Sequence, residues 1–457
     1  MSLAERLIVQ LKRRIALLPA EVDAWKTDAE QNLDRLGIHR SQFRALKEMM
    51  EVLTDRQTAL VDALQPGTTP VELADRYRAI RADIVGVNAL WNVFRVVIGQ
   101  RQDARLKPLL DAADFVASDC YVTCRSQAVA WGLIASDALR EPPLVFLEAV
   151  ESPATAHRGL TIEALSTAVE QFRDMQLPVP VIFLPFDHLA CIWLFCTLQH
   201  EAAHDVDQDL KLSAELRPKI EQELAQPGLK VGSARVWGQW TVEMLADALA
   251  VLLGGPGYAR SMADMLLARA PLASAVRTTL KHPDDFVRVA LLAALLRQVG
   301  GQPFAEAADL LDREWGAYVV PDGVAEYASG CATVAKLLLD RPLTALGDRP
   351  IRALVPDAGT GADLAAKLAD FFRIGVNRPN PKNVARRLIP SAAQLAVLSV
   401  SPPDPDRYAT IQQRALDFIP QAAGETFLAA TPNRIAYLRQ LSANLDFSTS
   451  ILGAGEG

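Results

Sequence analysis

In the segment Leu194–Leu210, LFCTLQHEAAHDVDQDL, two histidines stand four residues apart and a glutamate directly follows the first: His200-Glu201-Ala202-Ala203-His204. Residues four apart share one face of an α-helix, so His200 and His204 can reach a single metal ion. Glu201 lies one position round, where its carboxylate can meet a water at the metal without ligating. Leu189, Ile192, Trp193 and Cys196 extend the histidine face as an apolar stripe. The pair therefore sits at the end of a buried surface, where low local dielectric strengthens the hold of a metal on charged ligands. By composition alone the pattern has a chance on the order of one in a hundred of arising in such a chain, and many matches are surface helices.

A second pair of groups weighs against chance. In Gly238–Gly255, GQWTVEMLADALAVLLGG, Glu243 and Asp247 are again four apart, on a segment made apolar by Trp240, Met244 and Leu249–Leu253. Carboxylates on a buried helix are costly unless they are paired or ligating. A zinc site accounts for both: Glu243 as third ligand, Asp247 accepting the ring N–H of a ligating histidine. The competing reading is a solvent-facing Glu and Asp on an amphipathic helix. Asp205, Asp207, Asp209 and Glu215 are rival carboxylates, read as a solvated segment after the first helix.

H-E-x-x-H followed tens of residues later by E-x-x-x-D on a second helix resembles the gluzincin metallopeptidases, including thermolysin-like enzymes. The likeness spans about His200 to Leu253 with the preceding strands. The helix 236–253 with its GGPGYA ending is also similar to a group of bacterial HExxH proteins of unassigned role. The metzincin pattern HExxHxxGxxH fits worse, because Asp207 and Leu210 stand at its glycine and third-histidine positions. The resemblance implies a zinc peptidase acting on a peptide or protein substrate. Two imidazoles and one carboxylate would leave the zinc site net positive, activating a water and polarising a carbonyl. Glu201 would take the proton from water and pass it to the leaving amine. The oxyanion needs a further donor; His282, the one histidine after Glu243, is the candidate, with Tyr258 and Arg288 as rivals. His282 could instead cap the helix that begins near Asp284. The alternative to an enzyme is an interaction or sensor protein that keeps zinc as a structural element, and a third reading is a helical scaffold with no metal.

The elements that must position these groups read as mainly α (α+β): a zincin-like core with a small β-sheet and large helical flanks. The division expected is 1–110, helical; 111–320, the metallopeptidase core; and 321–457, helical. Leu7, Leu11, Ile15 and Leu18, then Phe43, Leu46, Met50 and Leu53, recur at helical spacing. A turn at Gln65–Pro70 precedes a helical run from Val71 to Gly99. The proline-bounded runs PPLVFLEAV (Pro142–Val150) and PVPVIFLP (Pro178–Pro185) read as strands, with a helix over Thr161–Met175 between them. Either strand could be the edge that holds an extended peptide by main-chain hydrogen bonds, as in zincins. Helices are expected over Leu189–Asp205, Ser213–Leu224 and Val236–Leu253, the last ended by Gly254-Gly255-Pro256-Gly257, and over Asp284–Val299. Loops near Asn377–Pro381 and Ser401–Asp406 interrupt the C-terminal helices, and the glycine-rich tail Gly453–Gly457 reads as frayed.

Composition narrows the function classes. The chain has 457 residues, of which half are apolar, and a net charge of -7, which argues against a general nucleic-acid binder. No uninterrupted apolar run reaches the ~20 residues of a membrane helix, so no membrane contact is expected. The N-terminus reads as an amphipathic helix rather than a secretory signal. Five cysteines (Cys120, Cys124, Cys191, Cys196, Cys331) without a C-x-x-C pair suggest free thiols in a reducing cytoplasm. Asp357–Gly361 reads as a turn, and Arg386-Arg387 near Lys382 as a solvated basic face. His39, His157 and His188 have no partner at ligand spacing.

Overall fold

The structure, a computed structural model, describes residues 3–31, 39–64, 69–135, 141–150, 152–156, 179–226, 232–269, 276–278, 281–318, 320 and 322–423. The helix expected over Thr161–Met175, most of the turn at Gln65–Pro70, His157 and the tail Gly453–Gly457 lie outside them.

The described chain is mainly helical with a small mixed sheet. Its elements are α1 (Leu3–Gln31), α2 (Arg40–Asp62), α3 (Pro70–Gly99), α4 (Lys107–Ala130), β1 (Leu144–Glu148), β2 (Ala154–Ala156), β3 (Val181–Pro185), α5 (Thr197–Leu210), α6 (Leu212–Leu224), α7 (Ala234–Gln239) and α8 (Thr241–Arg269). They continue as α9 (Asp285–Val299), α10 (Gln302–Trp315), α11 (Val324–Ala328), α12 (Cys331–Asp340), α13 (Ala358–Ile374), α14 (Ile389–Leu398) and α15 (Pro405–Phe418), joined in places by 3-10 turns. The sheet order is β1–β3–β2, with β1 parallel and β2 antiparallel to β3.

The sheet is buried on both faces, which is why its strands read as unbroken apolar runs rather than alternating ones. Side chains alternate across a strand. Leu144, Phe146, Val181 and Phe183 face a core with α1–α3, where Leu46, Met50, Trp91 and Phe94 meet them. Val145, Leu147, Ile182 and Leu184 face a larger core shared by α4–α15. Among the described residues that larger core has members from Leu110 to Ala422, so the helices after residue 320 share it with those before. Two stretches, Val71–Gln102 and Thr241–Leu267, have the length and apolar content of a membrane span; burial of 89% of the second's most apolar window marks it as the core helix of this fold.

Several local expectations are corrected, most of them by a partner distant in sequence. The expected helix over Leu189–Asp205 is two 3-10 turns, Phe186–Ala190 and Ile192–Cys196, followed by α5. The break at Cys191 is stabilised by Gln412 of α15, whose side chain accepts from the Ile192 N–H (2.8 Å) and donates to the Leu189 carbonyl (2.9 Å). The acidic stretch after His204 is not solvated. Helix α5 runs on to Leu210, Asp205 and Asp207 are buried, and Asp207 accepts from the Ser213 N–H beyond the left-handed Lys211. Asp209 accepts from the Tyr121 hydroxyl, and Glu215 accepts from the N–H groups of Thr344 and Ala345. Asp357–Gly361, expected as a turn, opens α13, with Asp357 just before its first residue. Arg387 is buried between Asp119 and Asp357, and the Arg386 guanidinium lies over the Phe115 ring, so this basic pair holds α4, α13 and α14 together.

The GGPG segment kinks α8 instead of ending it. Gly255 adopts φ 64°, ψ -147°, a region that is essentially glycine's alone. Pro256 then starts the second half, where a missing N–H costs nothing. A Cβ on Gly257 would come within 2.4 Å of the Ser391 carbonyl oxygen, so glycine there lets α8 and α14 cross backbone to backbone. The kink matters to the site because it returns Tyr258 and Met262 towards α5. A methyl at Gly255 would meet no atom closer than 3.5 Å, so Gly255→Ala isolates the backbone strain. We expect it to lower the unfolding free energy by about 1–3 kcal/mol, read by denaturant titration; an unchanged midpoint would show that α8 is not kinked there.

Candidate metal centre

Helix α5 packs between α4 and α8. The fully buried Ala202 and Ala203 of HEAAH are small enough to let these neighbours close in. Successive turns of α5 bring the His200 and His204 Nε2 atoms to 3.1 Å from each other. From the first turn of α8, Glu243 places Oε2 at 3.2 Å from His200 Nε2 and 3.7 Å from His204 Nε2. Zinc bonds of about 2.0–2.1 Å at tetrahedral angles set ligand atoms about 3.3–3.4 Å apart. The three observed separations straddle that value, so the residues present fit the metal.

One turn further along α8, Asp247 Oδ1 lies 2.9 Å from His200 Nδ1. This contact assigns the proton to Nδ1 and leaves Nε2 to ligate. Asp247 has no exposed surface and is clamped side-on by Arg288 of α9, Nε to Oδ2 at 2.7 Å and Nη2 to Oδ1 at 2.8 Å. The Tyr258 hydroxyl donates to Oδ1 at 2.6 Å. Burial alone would raise the Asp247 carboxyl, but Arg288 and His200 outweigh it and hold it well below the usual range. Burial likewise opposes ionisation of Glu243, and the facing His200, His282 and His204 overcome it. For His200 burial disfavours charge, yet its contacts with Asp247 and Glu243 raise it to about 9 when no metal is bound.

Tyr258 and Arg288, the rivals for the oxyanion role, are both bound to Asp247. The single Tyr258 hydroxyl proton is spent on Asp247, and two Arg288 nitrogens are engaged there as well. His282 lines the same cavity, half exposed, with Nδ1 2.9 Å from Glu243 Oε2. It does not cap α9; Asp284 does, accepting from the Phe286 N–H. Glu201 also lines the cavity, which has a volume of about 470 Å³. Thr155 of β2, which the sequence reading missed, donates to Glu201 Oε2 at 2.7 Å. A three-residue strand of small side chains carries too little periodicity to be seen in sequence.

The edge strand beside the site is β2, neither of the two runs considered. β3 is central. The outer edge of β1 is sealed by side chains: Asp114 accepts from the Val145 N–H, Arg101 donates to the Val145 carbonyl, and Gln100 bonds both the N–H and the carbonyl of Leu147. Among the described residues β2 pairs only with β3, and Ala154 and Thr155 line the cavity.

His39, Asp111 and Asp114 form a second group of potential ligands. There the cation is already present: Arg101 binds Asp114 bidentately (2.9 and 2.8 Å), with its Nε 3.3 Å from His39 Nε2. This knot joins α2, α4 and β1. The five cysteines are free, and burial pushes the Cys124, Cys196 and Cys331 thiols up to about 12, far from the thiolate a metal needs.

Comparison with protein-family models, with curated proteins and with solved structures gives no match. The reading of this centre rests on its own geometry. Purified protein should bind one zinc, and His200→Ala and Glu243→Ala should each lose it by metal analysis; undiminished zinc in either would remove that residue from the ligand set. Zinc needs a neutral imidazole, whereas without metal His200 stays charged up to about pH 9. Zinc uptake at pH 7 should therefore release about one proton, read by calorimetry in buffers of different ionisation enthalpy, and affinity should rise with pH.

Proposed function

We propose that the chain is a zinc-dependent peptidase with a zincin-like core, in which His200, His204 and Glu243 hold the metal. One observation carries the reading: three ligand atoms at tetrahedral spacing stand on the wall of a cavity. Structural zinc sites are closed by four protein ligands, whereas catalytic ones keep an open position. Zinc held there would supply a Lewis acid for a carbonyl oxygen and make water more acidic.

The residues of the chain supply the rest. Glu201, facing the cavity beside the histidines, accepts a proton from a water and delivers it to the leaving amine. Asp247, braced by Arg288 and Tyr258, keeps the His200 ring in one tautomer and orientation. His282 has a second ring nitrogen, Nε2, beyond the one facing Glu243. A ring N–H at Nε2 could donate to developing negative charge. The outer edge of β2 offers main-chain groups to an extended peptide. A cytoplasmic setting belongs to the same proposal, supported by the five free cysteines.

The test is zinc-loaded protein against a broad peptide library. Glu201→Gln should lower cleavage by on the order of 10²–10⁴-fold with zinc stoichiometry unchanged. Equal cleavage by wild type and Glu201→Gln would remove Glu201 as the base. A wild type that binds zinc stoichiometrically and cleaves nothing would favour an interaction or sensor protein with zinc as a structural element.

A further inference from the structure

We propose that Thr155 is a positioning residue for Glu201, so that the edge strand facing the cavity also sets the direction of the general base. The inference rests on the peptidase reading for its kinetic consequence, though not for its structural one.

Thr155 Oγ1 lies 2.7 Å from Glu201 Oε2 and 3.3 Å from the Glu201 main-chain oxygen. A hydroxyl has one proton, and a carboxylate oxygen is the stronger acceptor, so the proton goes to Oε2. Glu201 is on a helix and Thr155 is 46 residues earlier on a strand, so the contact exists only because the sheet and α5 meet. Thr155 itself has little freedom. Its backbone is paired opposite Ile182 of the buried central strand, and β-branching stiffens its χ1. The hydroxyl direction is thus inherited from the sheet.

Glutamate has two torsions between Cα and Cγ and a third that turns the carboxylate. A general base works only when one oxygen is held within hydrogen-bond reach of the proton it takes. The bond from Thr155 engages Oε2 from the strand side, which restricts that freedom. The neighbours of Thr155 in β2, Ala154 and Ala156, carry no polar side chain that could substitute. Because Ala154 and Thr155 line the cavity, the strand that would pair with an extended peptide is the one that holds the base. Substrate alignment and base alignment then share one rigid element.

The test compares Thr155→Val, which keeps shape and β-branching but loses the donor, with Thr155→Ser, which keeps the donor. In crystal structures of the metal-free variants, the Glu201 carboxylate should leave its position in Thr155→Val and keep it in Thr155→Ser. On zinc-loaded protein, kcat should fall by up to about 10²-fold in Thr155→Val, with KM within about twofold and zinc content unchanged, and Thr155→Ser should recover most of it. Glu201 unmoved in Thr155→Val, or equal impairment of the two variants, would overturn the proposal. If the wild type cleaves nothing but Glu201 still moves in Thr155→Val alone, the positioning stands and the peptidase reading fails. Thr155→Ala replaces the valine variant if that one does not fold, with the same outcomes.

Discussion

A carboxylate sealed from water has to be surrounded by partners, and Asp247 is that constraint here. Its three partners come from three places: His200 from α5, Tyr258 from beyond the kink of α8, and Arg288 from α9. Losing one partner of a buried ion pair typically costs about 3–5 kcal/mol, since the other charge is left uncompensated. The arrangement of these helices is therefore tied to one charge. The kink at Gly255 is needed because Tyr258 must turn back to Asp247, and Arg288 must stand on an otherwise apolar stretch of α9. The same charge orients the His200 ring, so the stability of the core and the geometry of the candidate metal centre depend on one interaction.

The sheet shows a comparable division of labour. Its two faces are covered by different cores, α1–α3 on one side and the α4–α15 core on the other. Its two edges are treated differently as well. Exposed strand edges invite pairing and are commonly blocked; the β1 edge is blocked by Gln100, Arg101 and Asp114, and the buried Arg101–Asp114 pair is itself anchored to His39. On the other side of the sheet, Ala154 and Thr155 of β2 line the cavity, and among the described residues β2 pairs only with β3.

Much of the centre was legible in the sequence because its parts repeat at four residues on helices. His200 with His204, and Glu243 with Asp247, each share a helix face by local geometry alone, and the apolar residues around them marked both helices as buried. The mainly helical class was legible for the same reason, and the two strands because each is a short apolar, β-branched run bounded by proline. What could not be read were the groups whose partners are distant: the Gln412 side chain that breaks the segment before α5, the carboxylates Asp209 and Glu215 that bond other elements rather than solvent, and Arg387, buried between two aspartates. Each looks like a solvated or regular residue until the partner arrives.

Local periodicity, then, determined which residues face one another within an element, and with that which side chains could be proposed as ligands (His200, His204 and Glu243) and which as their orienter (Asp247). Only the tertiary structure decided how those elements meet. It put Glu243 at ligand distance from both histidines, assigned Arg288 and Tyr258 to Asp247, made β2 the edge beside the cavity and joined Thr155 to Glu201. The physical reason is that hydrogen bonds and ion pairs between elements depend on packing angles and kinks, which arise from the burial of the whole core rather than from any one segment.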